Sequence, residues 1–261
     1  MGVTFSMPTW PEPVPPTYSN SNLATNFRQY IASGRESVAC QKMLQVVDHL
    51  ERIRPQTILD IGSWHLKQSL EFLHTIPGCV VHAFEPTSTS YELCQKTRLT
   101  LDEQMRNRVM VWPLALGDHD GIIDFFVIDP TRGDDNQGAA SRFQFKPGMN
   151  GSFYGKNWVQ KQVVAEMRTL DNWAQEKNVG PVDMLWIDVQ GGELQVFQGA
   201  RKTLESVQII FTEVGLQEYY DGQSLKPDID KFLADLGFVE ITEAFELNGF
   251  AYEGNTVYVR R

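Results

Sequence analysis

Hydrophobic residues along this chain occur in two kinds of pattern, short continuous runs and helical spacing, which predicts strands that alternate with helices. Short apolar runs of strand length occur at five places: 57–61, 80–84, 109–112, 183–188 and 207–214. Between them, apolar residues recur at helical spacing, as after Gly62 and before the Pro77-Gly78 stop. Such alternation predicts an α/β fold with a doubly wound, mostly parallel sheet of about seven strands. Apolar runs at 238–242 and 256–259 predict an antiparallel C-terminal hairpin.

Residues 1–55 precede this alternation. Residues 1–22 carry prolines that exclude helix and sheet interiors, whereas residues 23–53 show helical spacing in two pieces. We therefore expect residues 1–55 to form an N-terminal arm and helices that pack on one domain, residues 56–261. The arm could also pack on a second subunit, so a homo-oligomer stays open.

A second segment, residues 121–170, interrupts the alternation. Predicted strands at 122–128 and 163–170 flank a polar, glycine-rich stretch. Loops of this length inside a compact domain are usually functional or disordered. The stretch contains Phe143, Phe145 and Trp158, and aromatic residues are scarce in disordered segments. This favours a partly ordered lid or acceptor-binding insertion over disorder.

Charge and composition limit the classes of binding partner and the cellular compartment that we expect. The net charge is −10 and the pI is about 5.0, without a run of Lys and Arg, which disfavours nucleic acid and anionic membranes. The three cysteines suggest free thiols in a reducing compartment. The chain shows no signal peptide pattern and no apolar stretch of membrane-spanning length. We therefore expect a cytoplasmic protein.

Acids and a glycine follow the first two predicted strands, where ligands bind in a parallel sheet. Gly62, beside Ser63, lets backbone N–H groups approach a ligand, and Asp60 precedes it. Glu85, followed by Pro86, can accept hydrogen bonds from both hydroxyls of a ribose. Alone, each acid has a simpler explanation, as a turn residue or a solvated strand end. Together they favour a nucleoside site.

The nucleoside is not expected to carry a pyrophosphate. A dinucleotide site needs Gly-x-Gly-x-x-Gly after the first strand, whereas Gly62 is followed by Ser-Trp-His-Leu-Lys. An acid just before that glycine suits a ligand with an ammonium group and no phosphate, such as S-adenosylmethionine. On this hypothesis Asp60 lies near the amino-acid end, Glu85 binds the ribose, and the Ala115-Leu116-Gly117 backbone borders the adenine.

Several short motifs resemble the FkbM family of methyltransferases. They occur in this order: Ile58-Leu59-Asp60-Ile61-Gly62-Ser63, Phe84-Glu85-Pro86, Ala115-Leu116-Gly117-Asp118, Thr169-Leu170-Asp171, Asp188-Val189-Gln190-Gly191-Gly192-Glu193 and Gly199-Ala200. The block that begins at Asp188 is the most specific. The resemblance covers about residues 56–261. It implies a Rossmann-like class I methyltransferase fold, S-adenosylmethionine as cofactor, and O-methylation of a hydroxyl on a sugar or other small molecule.

The chain departs from the family pattern in two places. The family usually has Asp-Ile-Gly-Ala-Asn-x-Gly at the first turn, whereas Trp64, His65 and Leu66 replace Asn-x-Gly here. Leu66 thus brings a side chain where close backbone approach is expected. Gln190 replaces the usual Glu and removes a charge near Asp188. These departures motivate an alternative hypothesis, a catalytically inactive binding or assembly module.

Methyl transfer to a hydroxyl requires the acceptor oxygen to be held in line and its proton removed. Asp188, at the end of the fourth predicted strand, is a candidate for either task, or simply caps the Gly191-Gly192 turn. Glu213 ends the fifth strand and could orient the acceptor. His65 could act as a base near neutral pH, although a lone histidine is more often a packing residue. Tyr219-Tyr220 could wall the acceptor pocket or pack in the core.

No metal is predicted, because two acids are too few ligands for an oxygen site. Two other enzyme classes are disfavoured. The missing dinucleotide motif argues against a nicotinamide enzyme. The acidic balance and the lack of an Asn-Pro-Pro-Tyr-like motif argue against a nucleic-acid methyltransferase. The expected partner is a small hydroxylated acceptor.

Overall fold

The computed structural model describes most of the chain, in three ranges: residues 22–151, 156–248 and 252–261. Of the proline-rich segment predicted at 1–22, only Asn22 falls within them. Phe153 and Tyr154 of the predicted insertion, and Gly249 between the two runs of the predicted C-terminal hairpin, also lie outside the described residues. No helix within these ranges is long and apolar enough to cross a bilayer.

The strands form one large and one small sheet. Their bounds are β1 Thr57–Ile61, β2 Val80–Phe84, β3 Val109–Trp112, β4 Ala115–Leu116, β5 Gly121–Ile128, β6 Gln160–Arg168, β7 Met184–Ile187, β8 Ile209–Gly215, β9 Phe238–Glu240, β10 Glu246–Asn248 and β11 Glu253–Arg260. In the large sheet β3, β2, β1, β7 and β8 lie side by side and parallel, and β11 pairs antiparallel with β8. Both β9 and β10 pair antiparallel with β11 along its other side. Within the described ranges, eight strands therefore fill seven positions of this sheet, which confirms the predicted doubly wound sheet with an antiparallel end.

Helices cover both faces of this sheet. Their bounds are α1 Leu23–Ala32, α2 Val38–Gln45, α3 Val47–Ile53, α4 Lys67–Thr75, α5 Ser88–Leu99, α6 Glu103–Arg106, α7 Leu170–Glu176, α8 Glu193–Gln198 and α9 Lys226–Asp235. The region predicted as two helical pieces, 23–53, forms three helices. Gly34, in the left-handed region with φ 75°, separates α1 from α2. The extended φ of −121° at Val46 separates α2 from α3.

Two apolar cores lie on opposite faces of the sheet, because side chains of a strand point alternately to each face. Trp186 joins the core beneath α1, α2 and α4, which contains Phe27 and Met43. Its neighbour Leu185 points to the opposite core, with Trp173 of α7 and further residues of α8 and α9. The N-terminal helices thus supply one of the two layers around the sheet.

The small sheet comes from the segment that interrupts the alternation. β5 and β6 pair antiparallel from Gly121↔Met167 to Ile128↔Gln160, and β4 pairs parallel with β6. The chain between β5 and β6 folds back over this sheet, where Phe126 and Ser141 exchange backbone hydrogen bonds of 2.7 and 2.9 Å. The described part of the predicted insertion, residues 121–151 and 156–170, therefore lies beside the carboxyl edge of the large sheet, where it forms a wall of a cleft.

Candidate functional site

The ends of β1 and β7 touch at Gly62. Its φ of +88° favours glycine, and an added Cβ would lie 1.8 Å from the backbone oxygen of Asp188. A hydrogen bond of 2.9 Å from the Asp188 N–H to the Ile61 oxygen ties the same two ends together. This contact explains the glycine and brings the two predicted motifs side by side.

Of the residues that replace the family's Asn-x-Gly, Leu66 points its side chain into the core and Trp64 points its side chain towards the insertion. Trp64 and Leu66 both have left-handed φ values, 48° and 72°. The Leu66 side chain is fully buried in the core beneath α4, so it does not fill the space next to Gly62. Trp64 is 40% exposed and lies against Gly138 of the insertion. The unusual turn therefore leaves the site open and adds an indole to its wall.

A cleft opens at this edge, between the ends of β1, β2 and β7 and the small sheet. It holds about 620 Å³ of space, counting the part open to solvent. Its apolar walls include Phe84, Pro86, Leu114 and Phe125. Its polar features include Glu85, Asp188, Gln190 and Arg142. We call this space the first cavity.

Glu85 lies in the wall of the first cavity and is held by three hydrogen bonds. Its Oε2 accepts from the Trp64 N–H at 3.0 Å, and its Oε1 accepts from the N–H and hydroxyl of Thr87 at 3.0 and 2.6 Å. Burial raises the pKa of the Glu85 carboxyl to about 7. These bonds fix the carboxylate, and since each carboxylate oxygen can accept two hydrogen bonds, Oε2 can accept one more from a ligand.

Asp60 and Ser63, both predicted to contact the cofactor, face into the protein. Asp60 is 1% exposed, and its Oδ2 accepts from the hydroxyls of Ser63 and Ser69 at 2.9 and 2.5 Å. Burial raises the pKa of Asp60 to about 6. This arrangement fixes the turn after β1 and the start of α4, and it places the Asp60 carboxylate behind the cavity wall.

Of the segment predicted to border the adenine, Ala115-Leu116-Gly117, two residues line the first cavity and one does not. Ala115 and Leu116 line the first cavity. Gly117 instead packs against α8 and β6: a Cβ at Gly199 would lie 2.0 Å from the Gly117 oxygen, and one at Gly117 would lie 2.3 Å from the Met167 sulfur. The glycines of these two motifs therefore permit close packing beneath the cavity.

Asp188 and Glu213 are joined by Gln190, which the sequence marks only as a lost charge. The Nε2 of Gln190 donates to Asp188 Oδ1 at 2.7 Å and to Glu213 Oε2 at 2.8 Å. Its Oε1 accepts from the Tyr220 hydroxyl at 2.8 Å. The backbone oxygen of Gln190 accepts from the Ser141 hydroxyl at 2.7 Å. A neutral amide thus bridges two acids that would otherwise repel each other.

A further acid, Glu253 at the start of β11, adds to this cluster, and spacing along the chain gave no sign of it. Burial and repulsion from Asp188 raise the pKa of Glu253 to about 7. Burial, followed by repulsion from Asp188 and Glu253, raises the pKa of Glu213 well above its usual range. Burial also raises the pKa of Asp188, although its side chain is solvent-exposed within the concave edge. Each of these three carboxyls therefore has a pKa above its ordinary value.

Glu193 and His65 occupy supporting positions. Glu193 Oε1 accepts from the N–H groups of Val189 and Gly191 at 3.2 and 3.1 Å and so caps the turn that carries Gln190. The His65 ring stacks on Trp64 with centroids 4.0 Å apart. Burial and the nearby Lys67 lower the pKa of His65 to about 4, which makes it neutral at pH 7 and a weak base.

A second cavity, of about 700 Å³ counting its open part, adjoins the acid cluster. Its walls come from α2, α4, β7, β8 and β11, and they include Lys42, Gln68, Asp188, Glu213 and Asn255. Asp188 therefore lines both cavities. Among the described residues, no group of three or more His, Cys, Asp or Glu side chains is arranged to hold a metal ion.

The insertion contributes to the site as well. Gln137, Gly138, Ala140 and Arg142 line the first cavity. Phe145 stacks on Tyr220 with ring centroids 5.2 Å apart. The insertion is thus coupled to Gln190 through Tyr220, a link between distant segments that local sequence patterns do not carry.

Comparisons with known proteins agree with this fold and identify the family. The sequence matches the family described as Methyltransferase FkbM domain over residues 60–240. It is 31% identical over 210 residues to the 2-O-methyltransferase NoeI of Sinorhizobium fredii. This alignment covers 77% of this chain and 81% of NoeI. The structure resembles that of the methyltransferase FkbM from Methylobacillus flagellatus, with a TM-score of 0.51 and 10% identity over 90% of this chain. The chain spans 58% of that protein, and at this identity the likeness is one of fold alone.

Proposed function

Because the chain belongs to the FkbM family of methyltransferases and is an S-adenosylmethionine-dependent enzyme, we propose that it methylates a hydroxyl oxygen of a sugar or other small molecule. The observation that carries this proposal is the position of Asp188, an acid that lines both cavities. One cavity has the features of a nucleoside site, and the other is polar. The 2-O-methyltransferase NoeI, a relative at 31% identity, supports oxygen as the acceptor atom.

The first cavity fits S-adenosylmethionine. Glu85, fixed by the Trp64 and Thr87 donors, would accept hydrogen bonds from the ribose. The apolar walls from Pro86 to Leu114 would border the adenine. The described cationic side chain in this wall, Arg142, is paired with Asp118 at 3.1 Å, so it neutralises a protein acid in place of a phosphate. These features suit a nucleoside that carries a sulfonium and lacks phosphate.

When bound, the cofactor supplies an electrophilic methyl group, and the chain's own residues position the acceptor and take its proton. Asp188 is the proposed proton acceptor, because it stands where the two cavities meet. Its raised pKa strengthens it as a base compared with a carboxylate of ordinary pKa. Glu213, held to Asp188 through Gln190, would orient the acceptor. The weakly basic His65 is better explained as a packing residue against Trp64.

The observation that motivated an inactive module has a structural explanation. The Leu66 side chain points into the core and leaves the cofactor space open. Gln190 bridges the acids in place of a charge. Both departures from the family pattern are therefore compatible with an active enzyme.

Calorimetric titration with S-adenosylmethionine and with its demethylated product tests the proposal. We expect micromolar binding by the wild type. Glu85→Gln should weaken it about tenfold or more, the usual effect of losing a hydrogen bond to a charged group. Glu92→Gln on the exposed face of α5 is the matched control and should bind normally. Absence of binding by the wild type at millimolar cofactor would refute the proposal.

A further inference from the structure

The second cavity differs from the first in its polarity and in the segments that build it. Val38 and Lys42 come from α2, and Asn255 and Thr256 come from β11. These four residues lie outside residues 60–240, the part that matches the family. The range that matches the family therefore supplies the first cavity, whereas this cavity also uses segments on either side of that range.

We propose that the second cavity is the acceptor site and that it selects an uncharged polyhydroxylated acceptor, a sugar ring, over an anionic one. This inference rests on the proposed methyl transfer to oxygen and adds the place and the class of the acceptor. An in-line displacement needs the donor and the acceptor on opposite sides of the transferred methyl group. Asp188 is common to the walls of both cavities, which puts the proton acceptor at their junction.

The chemistry of the wall favours hydroxyl groups. Carboxylates of Asp188 and Glu213 accept hydrogen bonds, and the amides of Gln68 and Asn255 can both donate and accept. A hydroxyl also does both, so a ring with several hydroxyls can satisfy such a wall. Trp186 and Phe211 add an apolar surface beneath these polar groups, which suits the C–H faces of a sugar.

The charge of the wall opposes anions. Asp188 and Glu213 line the cavity, and Glu253 adds repulsion next to them. Lys42 is the one cationic side chain among the described lining residues, and its ammonium forms an ion pair with Glu246. Its charge is thus offset by a protein carboxylate. A carboxylate or phosphate on the acceptor would lie beside these acids, and the one lysine of the described lining is already paired with a protein carboxylate.

Matched acceptors test the selectivity. Methyl hexopyranosides and the corresponding methyl hexuronosides differ by one carboxylate at C6. Their binding is measured by saturation-transfer NMR in the presence of the demethylated cofactor, and their turnover with methyl-labelled cofactor. We expect neutral glycosides to bind and the matched uronosides to bind at least about tenfold more weakly, because like charges across an interface oppose association. Equal or stronger binding of the uronosides, or no binding of any neutral glycoside, would overturn the inference.

A substitution in its wall tests whether the second cavity is the acceptor site. Gln68→Trp should fill the second cavity and weaken glycoside binding about tenfold, with the affinity for the demethylated cofactor unchanged. Gln175→Trp, on exposed α7, is the matched control. If wild-type protein fails to bind the cofactor, the proposed function itself fails. If cofactor binding is intact and Gln68→Trp leaves glycoside binding unaltered, only the placement of the acceptor is wrong.

Discussion

The Tyr220 hydroxyl donates to the Oε1 atom of Gln190 at 2.8 Å, and this bond orients the amide so that its nitrogen faces the acids. One N–H then reaches Asp188 and the other reaches Glu213. Since an amide does not ionise, Gln190 can donate to both carboxylates whatever the pH. The proposed base therefore depends on a neutral residue for its position.

Gln190→Glu, which restores the usual family residue, tests this bridge. The change replaces two donated hydrogen bonds with a further negative charge, which should raise the pKa of the Asp188 and Glu213 cluster. We expect the acidic limb of the kcat/KM profile to move up by about one pH unit, so that activity at pH 7 falls about tenfold and recovers at higher pH. Gln190→Met removes the donors without adding charge and should shift the limb less. Identical profiles for wild type and Gln190→Glu would contradict the positioning role.

Glu85 should make cofactor affinity depend on pH. Its pKa is raised to about 7 by burial, and ribose hydroxyls donate to the carboxylate form. Binding therefore lowers this pKa, and affinity increases as the pH rises through 7. We expect the Kd to be about tenfold weaker at pH 6 than at pH 8, as one titrating group dictates. Calorimetry on Glu85→Gln should show weak binding with a flat profile, and an unchanged slope in that variant would argue against the assignment.

Gly62→Ala should be far more destabilising than its backbone angle alone explains. The added Cβ would lie 1.8 Å from the Asp188 backbone oxygen. Gly34 has a similar φ, +75°, with no atom within 4 Å of an added Cβ, so Gly34→Ala isolates the backbone strain of about 1–2 kcal/mol. Urea denaturation should show a further loss of at least about 1–3 kcal/mol for Gly62→Ala from overpacking. Equal losses in the two variants would mean that the contact between β1 and β7 relaxes freely.

Leu66→Gly tests whether Leu66, in the turn after β1, contributes to stability and not to cofactor binding. Restoring the family's glycine relieves a left-handed leucine but removes a fully buried side chain. We expect a net loss of about 1–4 kcal/mol in the free energy of unfolding, since a leucine cavity outweighs the relieved strain. Cofactor affinity should stay as in the wild type. Trp64→Ala should show the opposite pattern, weaker cofactor binding with a small loss of stability, because the indole is half-exposed in the cavity wall.

The strand ends could be found from the sequence because apolar runs and turn residues are local signals. This placed Gly62, Glu85 and Asp188 at one edge of the sheet. Local signals do not tell whether an acid at a strand end faces the ligand or the interior. Asp60 faces Ser63 and Ser69 because α4 begins directly above it, and only the packed structure fixes that direction.

The bridge through Gln190 could not be predicted for a different reason. Its partners, Glu213 and Tyr220, lie on β8 and in the segment after it, and they meet Gln190 only because β7 and β8 are neighbours. The second cavity has the same origin, since α2 and β11 come from opposite ends of the chain. Contacts between residues so far apart in the sequence depend on the order of the strands in the sheet. The spacing of residues along the chain does not show that order.

The junction of the two cavities at one side chain has a practical consequence for inhibitors. A compound that joins an adenosyl thioether to a sugar through a short linker would span both cavities past Asp188. Once one half is bound, the other half binds at a high effective concentration, so such a bisubstrate molecule should exceed the affinity of either part by orders of magnitude. Its adenosyl half suits any relative that keeps the first cavity, and its sugar half confers selectivity for this enzyme.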